Sequence, residues 1–333
     1  MKINKTKKKF DINMLAGQKL MVGFDGTVFN SDLEFLISKL KISGLVLFSR
    51  NIESPIQLKK LVNDIHKFAE KSNIPKLFIG IDQEGGQVAR LKKPFVTFEG
   101  NPSINNKQEA EIFAKKQAFQ LLDMKINMNF APVLDVIPEN FDSIMEKRAF
   151  TGNPENVGKL GCHIIKTMQK LNVLAVAKHF PGIGRTIHDS HFELPVVDRN
   201  IDELASEELI PFQMSINSKV SGIMLSHILY PKLDSTWQAS LSPKIARHLL
   251  REKLSFNGLI LTDDLDMKSV KHDIKTSARQ ILKSSLDIVL ICHKGPKIEE
   301  MFNEFKRLLN KNSTYLESAK SSLQRILKLK DSL

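Results

Sequence analysis

Eight short apolar runs recur along the chain, separated by amphipathic segments, and that alternation limits the fold more than any other feature of the sequence. The runs cover residues 20–24, 44–48, 77–81, 128–131, 174–177, 222–225, 258–261 and 287–291. They are apolar without alternating, so each reads as a strand buried on both faces, as in a parallel sheet. Between them, apolar residues at helical spacing predict helices near 30–41, 55–71, 106–124, 154–170, 201–217, 243–254 and 274–285. A last long helical stretch is expected over about 297–330. Eight strands, each followed by a helix, predict an α/β chain folded as a (β/α)8 barrel of the TIM type. No repeat, low-complexity linker or shift in composition divides the 333 residues. A single catalytic domain over 1–333 is therefore expected, with a basic tail at about 1–10 and the segment 297–330 closing the barrel.

Polar residues gather where the apolar runs stop. Asp25-Gly26-Thr27, Ser49-Arg50-Asn51, Asp82-Gln83-Glu84-Gly85-Gly86 and Asp135 follow the first four runs. Lys178-His179, Ser226-His227, Thr262-Asp263-Asp264 and Cys292-His293 follow the last four. A (β/α)8 enzyme keeps its chemistry at the C-terminal ends of the strands, where the connecting loops converge. Two of these loops, 83–105 and 178–200, are long enough to suggest function rather than connection.

Composition narrows the class. The net charge of +12 invites a nucleic-acid reading, but the lysines are spread along the chain and there are only one Trp and two Tyr to stack on bases. A solvated basic surface is the expectation, with no nucleic-acid partner. No apolar stretch approaches the roughly 20 residues of a membrane span. The basic N-terminus lacks the apolar core of a signal peptide, and Cys162 and Cys292 both sit in apolar surroundings, as buried thiols do. A cytoplasmic protein is expected.

The loop after the fifth run is the richest in chemistry. Residues 178–195 hold three histidines, a lysine, an arginine and two carboxylates around a Pro181-Gly182-x-Gly184 turn. Asp189 and His191, two apart, project to the same side of an extended loop. A carboxylate there would orient the imidazole and stabilise its protonated form, making His191 a candidate general acid and base. Asp263, at the end of the seventh run, is a candidate nucleophile or electrostatic stabiliser. Asp263 and Asp264 cannot both face inward, and spacing alone does not choose between them. Asp82, Arg90, Arg148, Lys178 and His179 form a polar set suited to sugar hydroxyls and an amide. His227 and His293 could line the mouth, and His188 reads as a solvated loop residue. No His-x-His sits on a strand, so neither a metal nor a cofactor is expected, and Gly182-x-Gly184 lacks the context of a dinucleotide fingerprint.

These motifs resemble glycoside hydrolase family 3, and within it the NagZ-type β-N-acetylglucosaminidases. The resemblance rests on Lys178-His179-Phe180-Pro181-Gly182-x-Gly184 running to Asp189-Ser190-His191, on 81–90, on 129–136, on Arg148-Ala149-Phe150 and on Thr262-Asp263-Asp264-Leu265-Asp266-Met267. Gly23-Phe24-Asp25-Gly26-Thr27 and 47–52 also look like the family's first two strand ends. What it implies is a retaining exo-glycosidase on one barrel. Asp263 would be the nucleophile, His191 the acid and base oriented by Asp189, and Asp82, Arg90, Arg148, Lys178 and His179 the N-acetylglucosamine contacts. The implied substrate is terminal β-linked N-acetylglucosamine, with 1,6-anhydro-muropeptides of cell-wall recycling as its source and a monomer as the working form. A β-N-acetylglucosaminide phosphorylase and a non-catalytic sugar-binding barrel are the alternatives. Ile183 and Arg185 depart from the family, many of whose members carry His and Asp there.

Overall fold

In a computed structural model, which describes residues 11–187 and 194–333, the eight runs close into a parallel barrel. Its strands are β1 Leu20–Gly23, β2 Gly44–Leu47, β3 Phe78–Ile81, β4 Met128–Asn129, β5 Leu174–Phe180, β6 Gly222–Leu225, β7 Leu259–Asp264 and β8 Ile288–Ile291. Each pairs in parallel with its neighbours in sequence, and β8 returns to β1. Helices pack outside, including Pro55–Lys71 and Pro154–Lys170, both at the bounds expected from periodicity. Each starts with Pro directly after a Ser or Asn cap, where a missing N–H costs nothing.

Strand alternation sorts side chains into two layers. Met21, Val46, Phe78, Met128, Val176, Met224, Leu261 and Leu290 pack together in the barrel interior. Val22, Leu45, Ile79, Ala177, Ile223, Ile260 and Val289 join the larger core under the helices. This two-sided burial is why the strands carry no polar alternation. It also aims the site. Asp82, Lys178 and Asp263 lie at even spacings beyond Phe78, Val176 and Leu261, so they continue the inward rows up to the mouth.

Three segments differ from expectation. The C-terminal stretch is two helices, Lys297–Lys311 and Ser313–Lys330. Asn312 parts them: its side chain accepts the Tyr315 N–H and caps the second helix. The segment 201–217 also divides, into Ile201–Ala205 and Leu209–Asn217, because Pro211 is tolerated in a first turn but not inside a helix. The long loop after β3 is not structureless. It holds a hairpin of Gln83–Gly85 with Val88–Ala89 and a short turn at Asn101–Ser103.

The helix Ser313–Lys330 lies across the N-terminal end of the barrel. Ile326 joins the interior cluster, Lys330 donates to Gln18 at 2.8 Å, and Arg325 reaches Asp287 at 2.8 Å. Among the described residues no helix is long and apolar enough to cross a membrane.

Candidate active site

The mouth of the barrel is walled by one connected ion-pair network. Asp82 Oδ1 accepts from Lys178 Nζ at 2.7 Å and Asp82 Oδ2 from Arg90 Nη2 at 3.1 Å. Glu84, two residues on, takes Lys178 Nζ at 2.7 Å and both arms of the Arg148 guanidinium, at 2.9 and 2.7 Å. Such a fork-to-fork pair holds geometry as well as charge. Burial alone would raise the Asp82 carboxyl, but Lys178 and then Arg90 hold it well below the usual carboxylate range. Glu84 is likewise pushed up by burial and held down by Lys178 and Arg148. Lys178, opposed by its own burial, is kept charged by the same two carboxylates.

The hairpin makes this wall. Gln83 is buried and turns its amide inward, accepting the N–H groups of Arg90 and Leu91 at 2.9 Å each. Asp82 and Glu84 then share one side, and Arg90 is folded back onto Asp82. Gly85 sits at φ 93°, and a Cβ there would come within 2.8 Å of Gly100 Cα, so the hairpin closes only on glycine.

His179 is set from behind. Its Nδ1 donates to Asp135 Oδ2 at 2.8 Å, so Nε2 carries the lone pair and accepts from Arg148 Nη2 at 3.3 Å. Asp135 is fully buried and its other oxygen takes the N–H of Ile183 at 2.8 Å. The register of β5 against β6 shifts between Ala177 and Phe180, which lets Lys178 and His179 both serve the mouth.

Asp263 stands opposite. It continues the inward row of Leu259 and Leu261, and its carboxylate accepts the N–H of Asp264 at 2.8 Å. Among the described residues it has no ion-pair partner, whereas Asp82 and Glu84 each have two. Asp264 turns to the seam with β8, accepting from Cys292 N and Asp266 N at 3.0 Å each. Burial lifts its carboxyl to about 6. Asp263 lines both cavities at the mouth and Asp264 only the first, the register of β7 against β8 shifting between Leu261 and Asp264.

His227 is buried and pushed below its ordinary value by burial. Its Nε2 donates to the Asp264 carbonyl at 2.8 Å while Nδ1 meets Ser240 Oγ at 2.6 Å. This imidazole braces the peptide beside Asp263. His293 is exposed at the rim, 3.5 Å from Asp266.

Two contiguous cavities, about 300 and 210 Å³, share Asp82, Arg90, Asp263 and Met267. The first is floored by apolar side chains such as Phe130 and Met224. The second is polar, lined by Glu84, Arg148, Lys178 and His179. The paired geometry suits a ring with hydroxyls on one side and carbon on the other. Asp264, Asp266 and His293 could offer a metal three ligand atoms within 4.8 Å, but Asp266 already pairs with Lys297 at 2.9 Å and takes the His293 N–H.

All of the expected site residues that are described, namely Asp82, Arg90, Arg148, Lys178, His179 and Asp263, meet at this mouth. Asp189, His191 and His188 lie outside the described residues. Two groups carried no expectation of a role: Glu84, the pivot between Arg148 and Lys178, and Asp135, which orients His179. Glu84 shares strand parity with Asp82, a signal present in the sequence. Asp135 meets His179 only through the fold.

The chain as a whole is similar to known proteins. A model of the glycosyl hydrolase family 3 N-terminal domain matches residues 12–329. A protein named beta-hexosaminidase A from Pseudoalteromonas piscicida is 34% identical, over 96% of this chain and 61% of its own length. A beta-hexosaminidase from Methylobacillus flagellatus is 33% identical over 80% of this chain and 77% of its own length. A solved family 3 β-N-acetylglucosaminidase from Paenibacillus superposes with a TM-score of 0.93 at 30% identity, covering 97% of this chain and 62% of that one. The chain thus spans about six-tenths of the first of these relatives and of the solved protein.

Proposed function

The chain belongs to glycosyl hydrolase family 3, and from that premise we propose that it removes terminal β-linked N-acetylglucosamine with retention of configuration. The observation that carries the reading is Asp263: one carboxylate at the mouth free of ion pairs among the described residues, facing a wall whose carboxylates are already matched by Lys178, Arg90 and Arg148. A charge-balanced wall can donate to and accept from sugar hydroxyls without competing for the anomeric carbon. The unpaired carboxylate is free to attack it.

In this mechanism Asp263 forms a bond to the anomeric carbon as the bond to the leaving oxygen breaks, and His191, oriented by Asp189, gives its proton to that oxygen. Water then attacks the glycosyl-enzyme, His191 takes the water's proton, and Asp263 is released. Asp82, Arg90, Arg148, Lys178 and His179 hold the sugar. A histidine donor adds no second negative charge near the nucleophile and has a proton to give at about pH 6–7.

The finer assignment is N-acetylglucosamine on 1,6-anhydro-muropeptides, handled in the cytoplasm by a monomer; its support is the order of NagZ-type motifs along the chain. A fluorinated slow substrate followed by peptide mass spectrometry tests the chemistry, and sugar carried anywhere but on the peptide with Asp263 would sink it. Products in phosphate buffer provide the second check: N-acetylglucosamine 1-phosphate as the main product would replace hydrolysis by phosphorolysis. No cleavage of a 4-nitrophenyl N-acetylglucosaminide from pH 5 to 8 would favour a binding module.

A further inference from the structure

We infer that Arg185 and Arg199 are positioning residues, clamped to a shared pair of carboxylates so as to hold both ends of the segment that bears Asp189 and His191. The catalytic part of this inference rests on the acid–base role proposed above.

Glu207 and Glu208 precede the helix Leu209–Asn217. Arg185 Nε donates to Glu208 Oε1 at 2.6 Å, and its Nη2 to Glu207 Oε2. Arg199 Nη2 reaches Glu207 Oε1 at 3.3 Å and Glu208 Oε2 at 3.8 Å. Each carboxylate therefore turns one oxygen to the cation before the segment and the other to the cation after it. Arg199 also donates to the Glu203 carbonyl at 3.1 Å, which anchors it to the helix Ile201–Ala205 that follows it.

This cluster is built into the fold. Glu208 is 1% exposed and lies under Gly182, where a Cβ would come within 2.8 Å of the Glu208 Cβ. A buried carboxylate stripped of a cation is costly, so Arg185, hydrogen-bonded to Glu208 Oε1, is held in place, while Arg199 lies 3.8 Å from the other oxygen. The adjoining backbone is fixed on each side. Ile144 N donates to Thr186 O at 3.1 Å before the segment, and Val197 N donates to Leu229 O at 2.9 Å after it. Among the described residues no hydrogen bond or ion pair joins Arg185 or Arg199 to the groups that wall the sugar cavities, so the inferred effect runs through the chain between them.

The test compares wild type with Arg185→Ala, Arg185→Lys and Glu207→Gln on two substrates: a β-1,4-linked N-acetylglucosamine disaccharide and a 2,4-dinitrophenyl N-acetylglucosaminide. Arg185→Ala should lower kcat on the disaccharide about thirtyfold, the scale of a misplaced catalytic group. On the activated glycoside, which needs little protonation, the loss should stay within about threefold. KM should move little, and Arg185→Lys should recover part of the loss. Equal losses on both substrates, or none on either, would overturn the positioning role. Hydrogen exchange in peptides spanning 181–200 gives an arm independent of activity, with the amides of Thr186 and Val197 expected to exchange faster in the variants; unchanged exchange would also overturn it. Wild type that cleaves neither substrate would refute the hydrolase reading, and the exchange result would still decide the clamp. Should Arg185→Ala not fold, Glu207→Gln removes a half-exposed partner and carries the same comparison.

Discussion

At the scale of single residues, the site contrasts the ion-paired Asp82 and Glu84 with Asp263, which has no ion-pair partner among the described residues. Asp263→Ala should lose roughly 10⁴ or more of turnover, a large part of what an enzyme supplies. It should still bind N-acetylglucosamine, because the wall of Asp82, Arg90, Arg148, Lys178 and His179 does not depend on it. Calorimetric titration with the product checks this, and lost binding would move Asp263 from chemistry to recognition. Its neighbour gives a pH prediction. Asp264 is lifted by burial from 3.8 to about 6. A raised acid keeps its full contribution to stability below pH 4 and loses it as pH climbs through 6. Asp264→Asn retains an oxygen for the Cys292 and Asp266 N–H groups and cannot ionise. Its stability relative to wild type should therefore improve between pH 4 and 7, by about 2 kcal/mol. Urea unfolding at pH 4 and 7 reads the difference, and an unchanged gap would show that Asp264 ionises as freely as in water. Much of this was legible beforehand. Asp82, Lys178 and Asp263 stand at strand ends, where parity and barrel architecture place them. Asp135 was not, since its bond to His179 joins residues 44 apart in the chain. Arg185, unaccounted for by family resemblance, acquires partners in Glu207 and Glu208 that only folding brings near.

At the scale of elements, loops and helix junctions carry what periodicity could not show. The runs at 55–71 and 154–170 end where apolar spacing ends, so sequence and structure agree there. Asn312 breaks a pattern whose leucines and isoleucines keep helical spacing on both sides, so the junction is invisible to periodicity and visible only as a cap. The hairpin after β3 was hidden for another reason: its strands have three and two residues, too few to show alternation. Its geometry depends on Gly85, whose φ of 93° and 2.8 Å approach to Gly100 exclude a side chain. Gly85→Ala should cost about 1–3 kcal/mol in strain. It should also raise KM for an aryl N-acetylglucosaminide more than it lowers kcat, since Asp82, Glu84 and Arg90 all hang on this turn while Asp263 does not. Steady-state kinetics beside a thermal melt separates the two effects. A fall in kcat at constant KM would mean the hairpin serves the chemical step instead of sugar binding.

At the scale of the whole molecule, the barrel divides its charges between two ends. The C-terminal end carries the site. The N-terminal end is sealed by the helix Ser313–Lys330 over buried ions with no substrate to meet, which is where barrels of this type place stability. Asp287, fully buried, takes Arg251 at 2.6 Å and Arg325 at 2.8 Å. Lys19 lies beside it, 1% exposed, donating to Leu286 O at 2.5 Å and Ser322 Oγ at 3.3 Å. Burial lowers Lys19 from 10.5 to about 8, with Asp287 opposing the fall and Arg325 and Arg251 adding to it. Below pH 8 the lysine is protonated both folded and unfolded, so its burial as a cation weakens the fold by a constant amount. Between pH 8 and 10.5 only the unfolded chain holds the proton, and stability must rise with pH. Lys19→Met removes that proton while nearly keeping the volume. Lys330, also pushed down by burial, is common to both proteins and cancels in the difference. The stability of wild type relative to Lys19→Met should therefore grow by about 3 kcal/mol from pH 8 to 10.5. Chemical denaturation at several pH values across that range measures it, and a flat difference would show that Lys19 keeps its proton inside the barrel.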